Sequence, residues 1–328
     1  MPLGLTSAPF QPLGLPLAIN VARDAESLGY ESFWVAEANG PEAFTSLGAL
    51  GASTSAIGLG TGVLALQLRT PPLLAMAAAT LQNLVPDRDV LIGIGISSPV
   101  VAGRWHGAPY ESTRPLAQVR EFVTVLRQCL SGEKVDFAGD FYTIKGFRLG
   151  LKTRSERTPK IVVGALNEGM LRLAGEIADG VLLNYLPHSH VKWSVEQVRA
   201  GGDATIYCYA HVGVGDPEYS IDNARYDVFS YATVDSYARN FERAGFADDV
   251  AAVRERHAAG DRTAAVGAVS FEFAQEIDFV GTEDEVRDRV QAYADAGVEV
   301  PIVFPLPWGE DRRATIDATI RAAAAVLA

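Results

Sequence analysis

Short runs of apolar and β-branched residues alternate along the chain with longer stretches whose apolar positions recur every three to four residues. The runs at 3–6, 32–36, 57–63, 90–95, 160–164, 180–184, 204–214 and 301–304 read as strands. Between them, 15–28, 41–54, 71–84, 114–131, 167–178, 191–200, 222–244, 282–296 and 310–327 carry a helical period. Such alternation predicts parallel strands joined by crossover helices. Eight units predict closure into a (β/α)8 TIM barrel rather than an open doubly wound sheet.

Two stretches break the alternation. Residues 134–145 hold two short alternating runs around Ala138-Gly139-Asp140, the pattern of a β-hairpin. Residues 215–280 are long and aromatic, with Tyr219, Tyr226, Phe229, Tyr231 and Tyr237, and are expected to lay extra helices over the barrel's upper face. The chain 1–328 is read as one domain with insertions at about 132–158 and 215–280.

Composition narrows the class. The chain is 48% hydrophobic and 21% charged, as ordinary globular proteins are. It holds no apolar run of about 18 residues, and MPLGLTSAPF lacks the basic, then apolar pattern of a signal peptide. A cytoplasmic protein is expected. A net charge of −12 argues against nucleic-acid and anionic-membrane surfaces, which need basic patches. Cys129 and Cys208 stand apart with no CxxC, so buried structural thiols are expected, and no metal site.

Several positions can carry chemistry. Gly58, Gly60 and Gly62 alternate along the third run, and Gly93 and Gly95 end the fourth, followed by Ser97 and Ser98. Glycine inside a strand marks either close approach by a ligand or tight packing in a crowded barrel. The fourth run opens at the catalytic, carboxyl end of a parallel barrel. The turn Gly164-Ala165-Leu166-Asn167-Glu168-Gly169 leads a strand into a helix, whose free N–H groups and positive end suit a phosphate, while the Glu168 carboxylate must point away. Glu37 ends the second run, where it can bond a ligand, transfer a proton or pair with Arg69. His106 lies in the loop after the fourth run and can act near neutral pH or simply order a Gly/Pro-rich loop. His188-Ser189-His190 lacks a spaced third ligand and reads as a solvated loop, and His211 is given no catalytic role.

The order of these segments resembles the luciferase-like monooxygenase superfamily, within it the coenzyme F420-dependent oxidoreductases. The resemblance covers most of the chain: LGYESFWVAE (28–37), IGLGTGVLALQLRTPPLLAMAAATLQNL (57–84), LIGIGISSP (91–99), WHGAPY through LSGEKVDFAGDFY (105–142), IVVGALNEGMLRLAGEIADGVLLN (161–184) and FVGTEDEVRDRVQAYADAGVEVPIVFP (279–305). It implies a TIM barrel with insertions, forming a homodimer or larger homo-oligomer. It also implies a bulge with a non-proline cis peptide at Gly62-Val63, beside Thr61, backing the deazaflavin ring. The phosphate loop then falls on residues 164–169, with Gly93, Gly95, Ser97 and Ser98 nearby, and Glu37 near the ring's polar edge. One departure is Ala38, where relatives that oxidise sugar phosphates place a histidine base.

The expected activity is F420-dependent hydride transfer to or from a small organic substrate, with Glu37 and His106 as candidate catalytic residues. FMN-dependent monooxygenation on the same fold is the nearest alternative, and a non-catalytic cofactor-binding barrel is the third.

Overall fold

All eight expected strands form and close on one another. The structure is a computed structural model that describes residues 1–110, 113–152 and 154–327; residue 153 of the expected 132–158 insertion therefore lies outside the described residues. Its strands are β1 (Gly4–Thr6), β2 (Ser32–Val35), β3 (Gly58–Ala65), β4 (Val90–Gly95), β5 (Val135–Ala138), β6 (Thr143–Phe147), β7 (Lys160–Gly164), β8 (Gly180–Leu183), β9 (Thr205–Val214), β10 (Phe279–Gly281) and β11 (Val300–Pro305). Eight of them run parallel in the order β1-β2-β3-β4-β7-β8-β9-β11, and the β11–β1 pairing closes the barrel. β5 and β6 form the expected antiparallel hairpin. β10 was not expected: its three residues carry no alternation, and it exists because it extends the upper end of β9.

Helices start where the backbone N–H groups find a cap. Thr70 caps Pro71–Leu84, and Thr282 with Glu285 forms a reciprocal capping box before Glu283–Asp295. The expected helix at 222–244 is two. Asp216 and Pro217 start Pro217–Ala232 five residues early; it stops at Thr233, and Asp235–Phe241 follows. With Ala247–Ala258, Arg262–Gly267 and Phe271–Ile277, these helices make a small core of their own around Val228, Phe241, Val253 and Phe273. Both cysteines are buried.

Inside the barrel, Trp34, Leu91, Val162, Leu182, Tyr207, Tyr209 and Ile302 fill the bore. This filling explains the glycines of β3. A Cβ on Gly60 would lie 2.6 Å from the Trp34 ring, and one on Gly62 would fall on the Tyr209 hydroxyl. The inward face of β3 is therefore occupied by aromatic rings from β2 and β9, not bared for a flat ligand. Likewise a Cβ on Gly93 would fall on the Thr61 carbonyl oxygen.

Gly93→Ala is accordingly expected to destabilise the fold by about 2–3 kcal/mol, since the Thr61 backbone and the Val63 side chain block the methyl. Gly48→Ala, in a helix with nothing within 4 Å of the new Cβ, should gain about 0.5–1 kcal/mol. Urea unfolding of both variants checks this. Equal midpoints would refute the packing account.

Candidate active site at the carboxyl end of the barrel

β3 bends where its register with β4 shifts between Thr61 and Leu64. Within that bulge the Gly62-Val63 peptide is cis. Thr61 is fully buried and its hydroxyl donates to the Gly93 carbonyl at 2.9 Å, so its side chain serves the barrel wall. Val63 is half-buried at the rim. Its methyl groups lie 3.1–3.4 Å from where a Cβ on Gly93, Gly95 or Gly164 would sit. Those three glycines form a notch that the Val63 isopropyl fills.

Next along the rim, the Ser98 hydroxyl accepts from the Val101 N–H at 3.1 Å and starts the π-helical turn Pro99–Trp105. The Ser97 N–H reaches Gln67 Oε1, and its carbonyl accepts from the Tyr110 hydroxyl at 2.7 Å. Gly95 ends β4 beside them.

The turn after β7 runs Gly164, Ala165, Leu166, Asn167, then into the helix Glu168–Ile177. The first-turn N–H groups of that helix, those of Glu168 and Gly169 among them, have no intrahelical acceptor. Asn167 stands at the N-cap position but makes no capping bond with its side chain. Its Oδ1 instead accepts from Arg243 at 3.0 Å, while Arg243 also donates to the Leu166 carbonyl at 3.1 Å. Glu168 turns along the helix to pair with Arg172 at 2.9 Å, which removes its charge from the turn. The cation absent from the local sequence thus arrives from the long insertion.

Arg243 stacks on Trp193, which His190 also stacks against. Burial and the Arg243 charge hold His190 below its usual pKa. Three buried nitrogens on this side have no partner among the described residues: Arg243 Nε, His190 Nε2 and Gln67 Nε2. Unsatisfied buried nitrogens of this kind fit a ligand rich in acceptor oxygens, as a phosphate-bearing cofactor is. Their spacing in sequence gave no signal, because each comes from a different element. His188 and His190 themselves open the helix His188–Gly201 rather than a solvated loop, and His188 Nδ1 accepts from Arg289 at 2.7 Å.

Glu37 and His106 do come together, but at an outer groove shared with Asn39, Leu68 and Leu73. Both Glu37 oxygens face the Arg69 guanidinium, and Oε2 also accepts from the Ala43 N–H at 2.9 Å. Arg69 reaches on to Glu42 at 2.5 Å. These three contacts take most of the acceptor capacity of Glu37 and brace the loop after β2. His106 is exposed, and its Nε2 donates to the Ala38 carbonyl at 2.5 Å, tying the β4 loop to the β2 loop. On the far rim, His211, set aside by sequence reasoning, is buried in a polar group with Asn184, Asp227 and Asp278.

The chain matches the model of the luciferase-like monooxygenase family over residues 7–299 and belongs to that family. It is 31% identical over 306 residues to the 5,10-methylenetetrahydromethanopterin reductase of Archaeoglobus fulgidus, covering 89% of this chain and 90% of that protein. The solved coenzyme F420-dependent tetrahydromethanopterin reductase of Methanopyrus kandleri is similar in fold, with a TM-score of 0.78 at 22% identity, covering 98% of this chain and 97% of that one. A solved F420-dependent secondary alcohol dehydrogenase, in complex with an F420–acetone adduct, gives a TM-score of 0.77 at 20% identity over 99% of this chain and 98% of that one. Those two likenesses concern the barrel architecture.

Arg69→Met should leave the Glu37 carboxylate, 11% exposed, short of its partner and cost about 3 kcal/mol. Adding Glu37→Gln should recover much of that loss. Thermal unfolding of the three variants checks the coupling, and an unchanged Tm for Arg69→Met would remove the pair from the account.

Proposed function

We propose that this protein passes a hydride between coenzyme F420 and a small organic substrate bound at the carboxyl end of the barrel. The cofactor is coenzyme F420 and the protein is an oxidoreductase. The observation that carries the site assignment is the donor-rich turn at 164–169 under Arg243, on the same rim as the β3 bulge at Val63. When bound, the deazaflavin supplies a carbon centre that accepts or donates hydride.

The chain's own residues do the rest. Leu166, Asn167, Glu168 and Gly169, through their backbone, and Arg243, through its guanidinium, hold the cofactor's anionic tail. Gly93, Gly95, Ser97, Ser98 and Gln67 border its path across β4. Thr61, Gly62 and Val63 shape the wall behind the ring, and Ala165 and Gly164 keep the turn close to it. Glu37 and His106 brace the two adjoining loops. Ala38 leaves no histidine next to Glu37, which speaks against a sugar phosphate as substrate.

A homodimer is part of this reading. The helix Pro71–Leu84 exposes Leu73, Met76 and Leu84 by about half each, and Leu84 lines an open apolar groove with Leu151 and Phe44. Exposed apolar faces of this kind are ordinarily covered by a partner. No helix of the described residues is long and apolar enough to cross a membrane. We place the enzyme in the cytoplasm, with neither nucleic acid nor lipid as a partner.

Fluorescence titration of the purified protein with F420 and with FMN tests the cofactor. F420 should bind at least about 100-fold more tightly, and Arg243→Met should weaken F420 by about tenfold or more through loss of a charge-assisted contact. Tight FMN with no F420 affinity would transfer the site to FMN-dependent monooxygenation. Binding of F420 without turnover by any metabolite in a library would leave a non-catalytic barrel. Light scattering should give twice the chain mass, falling to one chain in Leu73→Glu/Met76→Lys; a monomeric wild type would remove the dimer.

A further inference from the structure

Beside the cofactor turn, after the adjoining strand β8, the rim carries a second, buried polar chain. Asn184 follows β8 and is half-buried. Its Oδ1 accepts the Tyr185 N–H at 2.9 Å and faces His211 Nε2 at 2.9 Å. A backbone N–H can only donate, so the atom turned to Tyr185 is the oxygen, and the amide cannot be flipped. His211 Nε2 must then carry a hydrogen. The ring is held flat on Phe304, with centroids 3.9 Å apart, and edge-on to Tyr185.

The other ring nitrogen, Nδ1, lies 2.8 Å from Asp278 Oδ1, with both side chains almost fully buried. Asp278 lies beside Asp227, whose Oδ2 accepts from the Tyr185 hydroxyl at 2.8 Å. Tyr231 and Tyr237 pack on Tyr185 and close the cluster from the insertion side. Burial pushes Asp278 up to about 8 and Asp227 up to about 7, and holds His211 down to about 4. Neutral His211, hydrogen on Nε2, therefore accepts at Nδ1 from a protonated Asp278. The three groups could also surround a cation, but their 2.8 Å contacts are hydrogen-bond lengths, and the Tyr185 hydroxyl already engages Asp227.

With its oxygen doubly occupied, Asn184 has two amide hydrogens and no acceptor for them among the described residues. Its nitrogen is not among the sealed polar atoms. We propose that Asn184 is a substrate-binding residue, its amide nitrogen held toward the barrel mouth by His211 and Asp278 so that it donates to the oxygen of a carbonyl at the hydride-accepting carbon. This rests on the oxidoreductase reading and names its substrate class. In the reducing direction, hydride forms the new C–H bond, the C=O π pair moves onto the oxygen, and solvent water supplies that oxygen's proton. The reduced deazaflavin is oxidised by two electrons. Asn184 keeps its protons and stabilises the charge developing on oxygen. His211 and Asp278 are positioning residues.

Two measurements test this. Nitrogen NMR of the cofactor-free protein, which has five histidines, should show one neutral Nε2–H histidine that persists below pH 6. Asp278→Asn should keep that signature, since its amide can donate to Nδ1 in place of the acid, whereas Asp278→Ala should lose it. Reduced F420 is then oxidised with a set of aliphatic and cyclic ketones and aldehydes. Asn184→Leu should lower kcat/KM about 100-fold, with F420 affinity unchanged. Asp278→Ala should lose much of the same activity; Asp278→Asn should restore most of it and abolish the fall in rate above about pH 8, since the substitution removes the ionisable carboxyl. Turnover unaffected by Asn184→Leu overturns the proposal alone. So does one equivalent of bound divalent metal that Asp278→Asn releases, or an F420-binding wild type that reduces none of the carbonyls. Failure to bind F420 at all overturns the oxidoreductase reading and this proposal with it.

Discussion

Closure of this barrel turns on how large side chains from β2 and β9 meet the glycines of β3. The Trp34 ring occupies the space above Gly60, and the Tyr209 hydroxyl occupies the space above Gly62 while donating to its carbonyl at 2.8 Å. A parallel barrel fills its own bore with side chains, and bulky residues on some strands require small ones opposite. Here the aromatic bulk sits on β2 and β9, so β3 gives way. The bulge that follows turns Val63 to the rim, where three more glycines receive it. Packing in the bore and the shape of the site are thus one arrangement.

The rim divides into two chemically distinct halves. From β3 to β7 it offers backbone, small residues and unsatisfied nitrogens, with Arg243 supplying positive charge. From β8 to β11 it offers a rigid, buried hydrogen-bond chain through Asn184, His211 and Asp278, backed by Phe304 and Tyr185. The first half suits an anionic, extended cofactor. The second suits fixed recognition of a small polar group. Preorganised donors aimed at one point in a poorly hydrated site contribute more than the same groups in water.

The long insertion links the halves. Its helices bring Arg243 to the turn after β7 and Asp227, Tyr231 and Tyr237 to the region of His211. Without it the barrel would present a helix N-terminus and a histidine with no acid beside it. The barrel therefore supplies the strands and turns, and the insertion sets the polar environment.

Sequence alone determined the barrel, the hairpin and the turn at 164–169, because each depends on periodicity or on glycine and capping residues close together in the chain. It also marked the β3–β4 glycines, although it left open whether a ligand or packing required them. Only the tertiary structure decided that aromatic rings fill the face of β3 and that Glu37 is taken by Arg69. It alone joined Arg243 to Asn167, 76 residues away, and His211 to Asp278, 67 residues away. Those contacts are individual meetings between distant side chains, set by how helices settle on the barrel, and no local pattern encodes them. The same physics explains why His188 and His190, close together in sequence, part to Arg289 and Trp193, while solitary His211 is buried among Asn184, Asp227 and Asp278.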